Sequence, residues 1–500
     1  MFSPSSRTRA KGAGVLLFLF VVLASYLTYV HNFPNPPSLF WDENYHIASA
    51  QKYLNGIHFL EPHPPLAKML IAAGEAILQR NPVNDQFAGA DYGKNLPEGF
   101  DFTGYRLFPV LFGWLTAPVL FLIFLLLTRN ALFAALFSFL YVFDNALIVH
   151  SRSAMLDSTM IFFTALTILF YLLTVQYRER SRAFAIAVVC FGASFALLMA
   201  TKVLGLVLVL MVPLAFAQLY PSWTRIWKLF ALFTASFAVV YLSVWQIHFS
   251  LTKTVNPVLP DGGYYHVSDE FKRLRDAGKT NLPIMLRDSW KFLGHYAGGV
   301  PRLDMCKTNE NGSPWFLWPI GGRSINFRWE TPDGNAYRYL YLQVNPAAWG
   351  LGLLGVLLSG AIVLASVLFP PVRKHLTQYV PMLTFLGLWL AYMIAVARIG
   401  RVMYLYHYFI PLLFSFILFA LAFTELRQIW NWKLNDRRKT GVLLALAFLI
   451  FASFQFYRPF TYYTLLTDKQ VEHRALVPSW ELHCATCPRE SRLVNPSREG

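Results

Sequence analysis

Charge is what this chain lacks. Only 14% of its 500 residues are Asp, Glu, Lys or Arg, while 56% are apolar and 17% aromatic. Average soluble domains carry about 25% charged residues. The shortage excludes a water-soluble protein, and hydrophobicity this high excludes a disordered chain or a nucleic-acid partner in spite of the net charge of +16. Cysteine is scarcer still, at four residues, so the fold is not a disulfide-built scaffold. Carboxylates form no dense cluster, and no metal is expected.

Long apolar runs are what the chain has in their place. Crossing about 30 Å of hydrocarbon takes about 20 residues, and eleven stretches qualify: 13–31, 107–127, 131–149, 156–176, 183–200, 203–220, 229–249, 347–369, 378–397, 404–424 and 440–457. The first lacks a small-residue cleavage site and runs into Phe33-Pro34-Asn35-Pro36-Pro37, so it reads as a retained helix rather than a signal peptide. With the N-terminus on the cytoplasmic side, the inner segments hold sixteen basic residues against three acidic ones, which accounts for most of the +16. The charge therefore records topology. The expectation is an all-α integral membrane protein with about 11 transmembrane helices and two large extracytoplasmic loops, 32–106 and 250–346. Its expected organisation is an N-terminal catalytic module over 1–249, the loop 250–346, a four-span module over 347–457 and an outer tail over 458–500.

The first outer loop is densest in chemistry. Phe40-Trp41-Asp42-Glu43-Asn44-Tyr45-His46 sets two adjacent carboxylates among interfacial aromatics. They cannot point the same way on a helix, so one can face a pocket while the other caps or orients. Asp42 is equally placed to be the N-cap of a helix through Ala48, Ala50 and Leu54 to Asn55-Gly56. Next, Glu61-Pro62-His63-Pro64-Pro65-Leu66-Ala67-Lys68-Met69 opens a helix whose Leu66, Met69, Leu70, Ala73 and Ile77 make one apolar stripe, as in a helix lying in the membrane plane. His63 stands at its mouth, where a structural role is as natural as a chemical one. A third cluster runs from His150 to Ser158. Here Arg152 and Asp157 can form an ion pair or serve a site, because charges at a lipid boundary are costly unless paired or functional. Arg106, Arg152 and Arg401 all fall at the expected outer interface, and guanidiniums there suit the phosphate of a lipid carrier.

These segments together resemble the protein O-mannosyltransferases, integral-membrane enzymes of the GT-C fold that use a polyprenyl-phosphate sugar. Asp42-Glu43 resembles the family's acidic pair, and His63-Pro64-Pro65-Leu66 its His-Pro-Pro segment. The stretch His150 to Ser158 is similar to its Ser-Arg and Leu-Asp-Ser run. Asn345-Pro346-Ala347-Ala348-Trp349 resembles its Asn-Pro-x-x-Trp motif, and Tyr404 to Phe409 with Pro411 its Leu-Tyr-His-Tyr-Phe-x-Pro run. Five matches in order span nearly the whole chain. The resemblance implies transfer of a sugar, mannose in this family, from a polyprenyl-phosphate carrier to Ser or Thr hydroxyls of a protein acceptor. The reaction inverts the anomeric carbon on the extracytoplasmic face. Asp42 would be the base, Glu43 would orient, and Arg106, Arg152 and Arg401 would bind the donor phosphate. His63, Pro64, Pro65, Asp157, Asn345 and His407 would shape the site. No cofactor is implied beyond the donor, and relatives suggest dimerisation. The interval 250–346 is too short for the β-trefoil (MIR) insertion of eukaryotic relatives, which points to a bacterial-type member in the inner membrane. Ser313-Pro314-Trp315-Phe316-Leu317-Trp318-Pro319 in that interval resembles the family's Trp-Pro segment.

Two other readings stand beside this one. The same donor chemistry can serve a glycan or lipid acceptor, as in lipid A-type enzymes. A transporter is disfavoured, since no inverted repeat is visible and mid-span ionisable groups are scarce. Cys484 and Cys487 can close a tight disulfide or, with His483, bind metal. Cys190 reads as packing, Cys306 as unpaired or joined to the tail, and Asn311-Gly312-Ser313 is a sequon that matters only in a eukaryotic secretory route.

Overall fold

The computed structural model describes residues 4–90, 92–255, 266–307 and 310–483. The expected Cys484–Cys487 pairing lies outside them. Helices dominate. In chain order they are α1 (Pro4–Ser25), α2 (Glu43–Leu54), α3 (Leu66–Leu78), α4 (Thr103–Thr128), α5 (Ala131–Val142), α6 (Asn145–Ser151), α7 (Asp157–Gln176), α8 (Ser181–Met199), α9 (Met211–Leu219) and α10 (Trp223–Leu251). There follow α11 (Asp269–Asp276), α12 (Leu282–Gly299), α13 (Pro346–Leu368), α14 (Tyr379–Ala397), α15 (Phe409–Glu425) and α16 (Asp436–Thr461). Nine helices among the described residues are long and apolar enough to cross a membrane. The protein is a multi-pass integral membrane protein.

Two of the eleven expected spans depart from a single straight helix. Run 131–149 is broken into α5 and α6, bent by 65°. Asp144 sits at the break, where its carboxylate accepts from Leu147 N at 2.9 Å and from the Trp349 indole at 2.8 Å. A polar side chain that captures backbone in this way competes with the helix ladder. Run 203–220 becomes a 3-10 helix over Val203–Leu210 followed by α9. At about 2.0 Å per residue for the first part and 1.5 Å for the second, the two cover roughly 30 Å, enough for a membrane.

The chain forms two compact units, each from non-adjacent stretches: Met1–His31, Trp114–Val149 and Arg302–Gly500 in one, Asn32–Gly113 and His150–Pro301 in the other. In the first, Asn345 caps α13 through Ala347 N and Ala348 N and donates to Phe143 O and Ile450 O at 2.7 and 2.9 Å. Gly355 brings α13 against α15 so closely that a Cβ there would lie 2.4 Å from Phe419 N. An antiparallel pair, Ile325–Glu330 with Tyr337–Leu342, is extended by Leu465–Leu466.

In the second unit, α2 and α3 pack together over Ile47, Ala50, Ala67 and Ile71. Strand Ile57–His58 pairs in parallel with Thr254–Val255, tying the first loop to the end of α10. Helix α3 meets the start of α4 at Gly74 and Gly104, where a Cβ on Gly74 would fall 2.2 Å from Gly104 O. The expected apolar stripe of α3 runs from buried Leu66 through half-buried Met69, Leu70 and Ala73 to Ile77, which is 64% exposed. Lys68 and Glu75, one heptad apart, are turned inward at 1% each, beside the buried Ala67, Ile71 and Ala72. Glu75 accepts from the Asn81 backbone and side chain and from Asn84.

Candidate active site

Two buried ion clusters begin at neighbouring residues. Glu43 opens α2 with its carboxylate fully buried, accepting from Arg106 Nε at 2.7 Å, Arg106 Nη2 at 2.8 Å, Ala154 N at 2.7 Å and Phe40 N at 3.3 Å. Arg106 is also 0% exposed. Its remaining donors reach the carbonyls of Pro34, Pro36 and Ser38 at 2.7, 2.7 and 2.9 Å, and its plane lies 4.3 Å from the Phe102 ring centroid. All five guanidinium N–H groups are used. This corrects the expectation that Arg106 binds a donor phosphate: no donor is left for one. Glu43 likewise has both carboxylate oxygens engaged, each accepting two hydrogen bonds from the chain.

Asp42 stands apart from this knot. It occupies the N-cap of α2 as expected, while its half-buried side chain makes no capping bond. Trp41 before it has φ +53°. A bulky residue in the left-handed region is strained and persists where the surroundings enforce it. Burial pushes the Asp42 carboxyl above the usual carboxylate range; Lys202 and then His150 oppose the rise, Asp157 adds to it and Lys68 opposes it.

Three of those residues, Asp157, Lys202 and His150, form the second cluster. Asp157, 4% exposed at the start of α7, receives Lys202 Nζ at 2.8 Å and faces His150 Nε2 at 3.1 Å. Lys202 is the last of the three residues between α8 and the 3-10 helix, and the carbonyl two residues earlier, Ala200 O, accepts from Leu66 N at 2.9 Å. This bond fixes the mouth of α3 beside Lys202. Pro64 and Pro65 precede that helix, with Pro65 as its N-cap instead of in its first turn. Lys68, one turn in, pairs with Glu61, which also accepts from Ser49 Oγ at 2.5 Å. His46, one turn along α2, has its imidazole pKa lowered by burial first and then by Lys68, His63 and Lys202. His63 is half-buried and, with Glu61, Lys68, Tyr53, His248 and Ser289, lines a small open cleft. Arg152, 4% exposed, donates to Asn32 O at 2.5 Å.

The other expected site residues belong to the first unit. Asn345 is a fully buried helix cap, and its motif partner Trp349 shares Asp144 with it. His407 is buried in the turn Leu405–Tyr408, bonded through Nδ1 to Tyr404 and stacked on Trp318 with centroids 6.3 Å apart. The Trp-Pro segment is joined to this turn by Ser313 N to Met403 O at 2.8 Å. Arg401 is half-buried with no ion pair among the described residues.

Residues 18–258 match the family model described as dolichyl-phosphate-mannose-protein mannosyltransferase, and 301–480 match the C-terminal four-TMM region of protein-O-mannosyltransferase. The chain belongs to the protein O-mannosyltransferase family. It is 32% identical over 148 residues to dolichyl-phosphate-mannose--protein mannosyltransferase 1 of Candida albicans, covering 30% of this chain and 16% of that protein. It is 27% identical over 249 residues to protein O-mannosyltransferase 1 of Drosophila melanogaster, covering 47% of this chain and 28% of that one. The aligned stretches thus take in under a third of these relatives' own length. In fold it superposes on a chain of the S. cerevisiae protein O-mannosyltransferase Pmt1-Pmt2 complex bound to the sugar donor, with a TM-score of 0.80, 14% identity, and coverage of 94% of this chain and 92% of that chain. The archaeal oligosaccharyltransferase AglB from Archaeoglobus fulgidus is more distant, with a TM-score of 0.53, 12% identity, and coverage of 93% and 57%. Of the ionisable residues around Asp42, sequence reasoning missed Lys202, Lys68 and His46. The signal was present: an ionisable residue inside otherwise apolar surroundings.

Proposed function

We propose that this protein transfers mannose from a polyprenyl-phosphate carrier to Ser or Thr hydroxyls of protein acceptors, on the extracytoplasmic face of a bacterial inner membrane. The observation that carries this reading is Asp42: a half-buried carboxylate whose side chain makes no capping bond, within electrostatic reach of Lys202 and Lys68, beside a neighbour engaged by Arg106. Asp42 takes the proton of the acceptor hydroxyl as its oxygen attacks the anomeric carbon. A new C–O bond forms with inversion while the bond from that carbon to the phosphate oxygen breaks. A positioned base contributes about 10²–10⁴-fold. The departing polyprenyl phosphate gains negative charge and needs no proton, so cations in a dry site stabilise it. Lys202, held by Asp157, and Arg152 supply that charge, and Lys68 with His63 shapes the acceptor side.

The test is purified full-length enzyme with synthetic polyprenyl-phosphate-mannose and two acceptors, a Ser/Thr peptide and a glycolipid. Mannosylated peptide released by β-elimination supports the reading. Product on the glycolipid alone moves the acceptor to lipid, and no product with this donor removes the proposed donor.

A further inference from the structure

A different face of the molecule carries features that sugar transfer does not use. Between α15 and α16 the chain makes a short hairpin in which Gln428 pairs with Lys433 and Ile429 with Trp432. At its tip Trp430 is 91% exposed and has φ +52°. Turns of this kind favour Asn or Gly there, because a Cβ with a bulky substituent is strained in the left-handed region. Here the fold holds an indole outward at a strained position, and Trp432 beside it is 46% exposed. Backbone strain spent on presenting an apolar ring is a mark of function.

The ground around the hairpin is basic. Arg427, Lys433, Arg437 and Arg438 are exposed, and Arg427 Nη2 donates to His375 O at 2.9 Å, which joins the exposed Arg373 and Lys374 to the same patch. Of the nearby acids, Glu425 is turned inward onto Thr377 N and Gln378 N at 2.9 and 2.7 Å, leaving Asp436 as the exposed one. The patch lies at the ends of membrane-spanning helices, where an indole prefers the headgroup level and Lys and Arg are drawn to an anionic surface.

We propose that this tryptophan-tipped hairpin with its basic surround is a docking surface for anionic phospholipid headgroups, Trp430 entering the interface while the arginines and lysines take the phosphates. The full-length protein is reconstituted in nanodiscs of phosphatidylcholine with or without phosphatidylglycerol, and lipid retained on gentle extraction is counted by native mass spectrometry. Wild type is expected to retain phosphatidylglycerol over phosphatidylcholine by about tenfold, losing this at high salt. Arg437→Glu with Arg438→Glu is expected to abolish the preference, and Trp430→Ala to weaken it severalfold, with thermal melting unchanged. In parallel, brominated lipid should quench wild-type fluorescence more than that of Trp430→Phe. Equal retention of both lipids by wild type, or identical quenching of wild type and Trp430→Phe, overturns the proposal. The second result would leave the indole free for a protein partner.

Discussion

Asp42 and Glu43 are chemically alike and adjacent, yet they belong to opposite kinds of cluster. Glu43 with Arg106 is closed: every acceptor and donor is spent inside the chain, and both side chains are fully buried. Asp42 is unsaturated: its carboxylate lies within electrostatic reach of Lys202, His150 and Asp157 and has no hydrogen-bond partner among the described residues. Saturation is what separates an ion cluster that holds a fold from one that can act on a substrate. The closed knot fixes α2 to the Pro34–Ser38 segment and to Ala154, and by doing so aims its neighbour.

The sharpest test exchanges the open carboxylate. Asp42→Asn is expected to lower kcat by about 10²–10⁴-fold, measured with peptide acceptor at saturating donor. Because the folded protein raises the pKa of Asp42, ionisation there disfavours the folded state, so the neutral amide should leave thermal stability equal or higher. A variant with wild-type turnover would remove Asp42 from the base role. Breaking the closed knot should do the reverse. Arg106→Ala leaves Glu43 charged and buried without a cation, at a cost of about 3–5 kcal/mol, seen as a large loss in thermal melting in detergent. Normal stability with a raised donor KM would return Arg106 to the phosphate.

Within the open cluster, Lys202→Met is expected to lower kcat by about 10²-fold, with Lys202→Arg recovering much of it; rescue by charge separates a phosphate role from packing. The pH profile is a gentler probe. The carboxylate is competent above its pKa, so the acid limb of kcat/KM should lie above the ordinary Asp value of about 3.9 and vanish in Asp42→Asn. The smallest effect is expected at Arg401, where Ala should raise donor KM by roughly tenfold if it contacts phosphate. Unchanged constants would assign Arg401 a structural part.

Much of this was legible from residues alone. The apolar runs mark the spans, and Asp42 is conspicuous as a carboxylate amid interfacial aromatics. Arg106 was misread because its partner is 63 residues away, and a guanidinium at a membrane boundary looks the same whether it awaits phosphate or is already spent. Lys202 was passed over because it sits in a two-residue gap between apolar runs, where a turn is all that local pattern reveals. Lys68 was hidden by periodicity: the apolar residues of α3 drew attention away from the one cation buried beside them. Asn345 and His407 looked chemical because polar residues inside apolar stretches usually are; here one caps a helix and the other closes a turn.

The unit that carries Asp42 is assembled from two stretches parted by a long intervening one. A ribosome making about 5–20 residues per second needs roughly 10–30 s to travel from Asp42 to Lys202. For that interval the nascent acid has no counter-charge, and the first loop must stay unfinished until much later chain emerges. Truncated or stalled products ending before that lysine would therefore expose an incomplete polar nest to quality control.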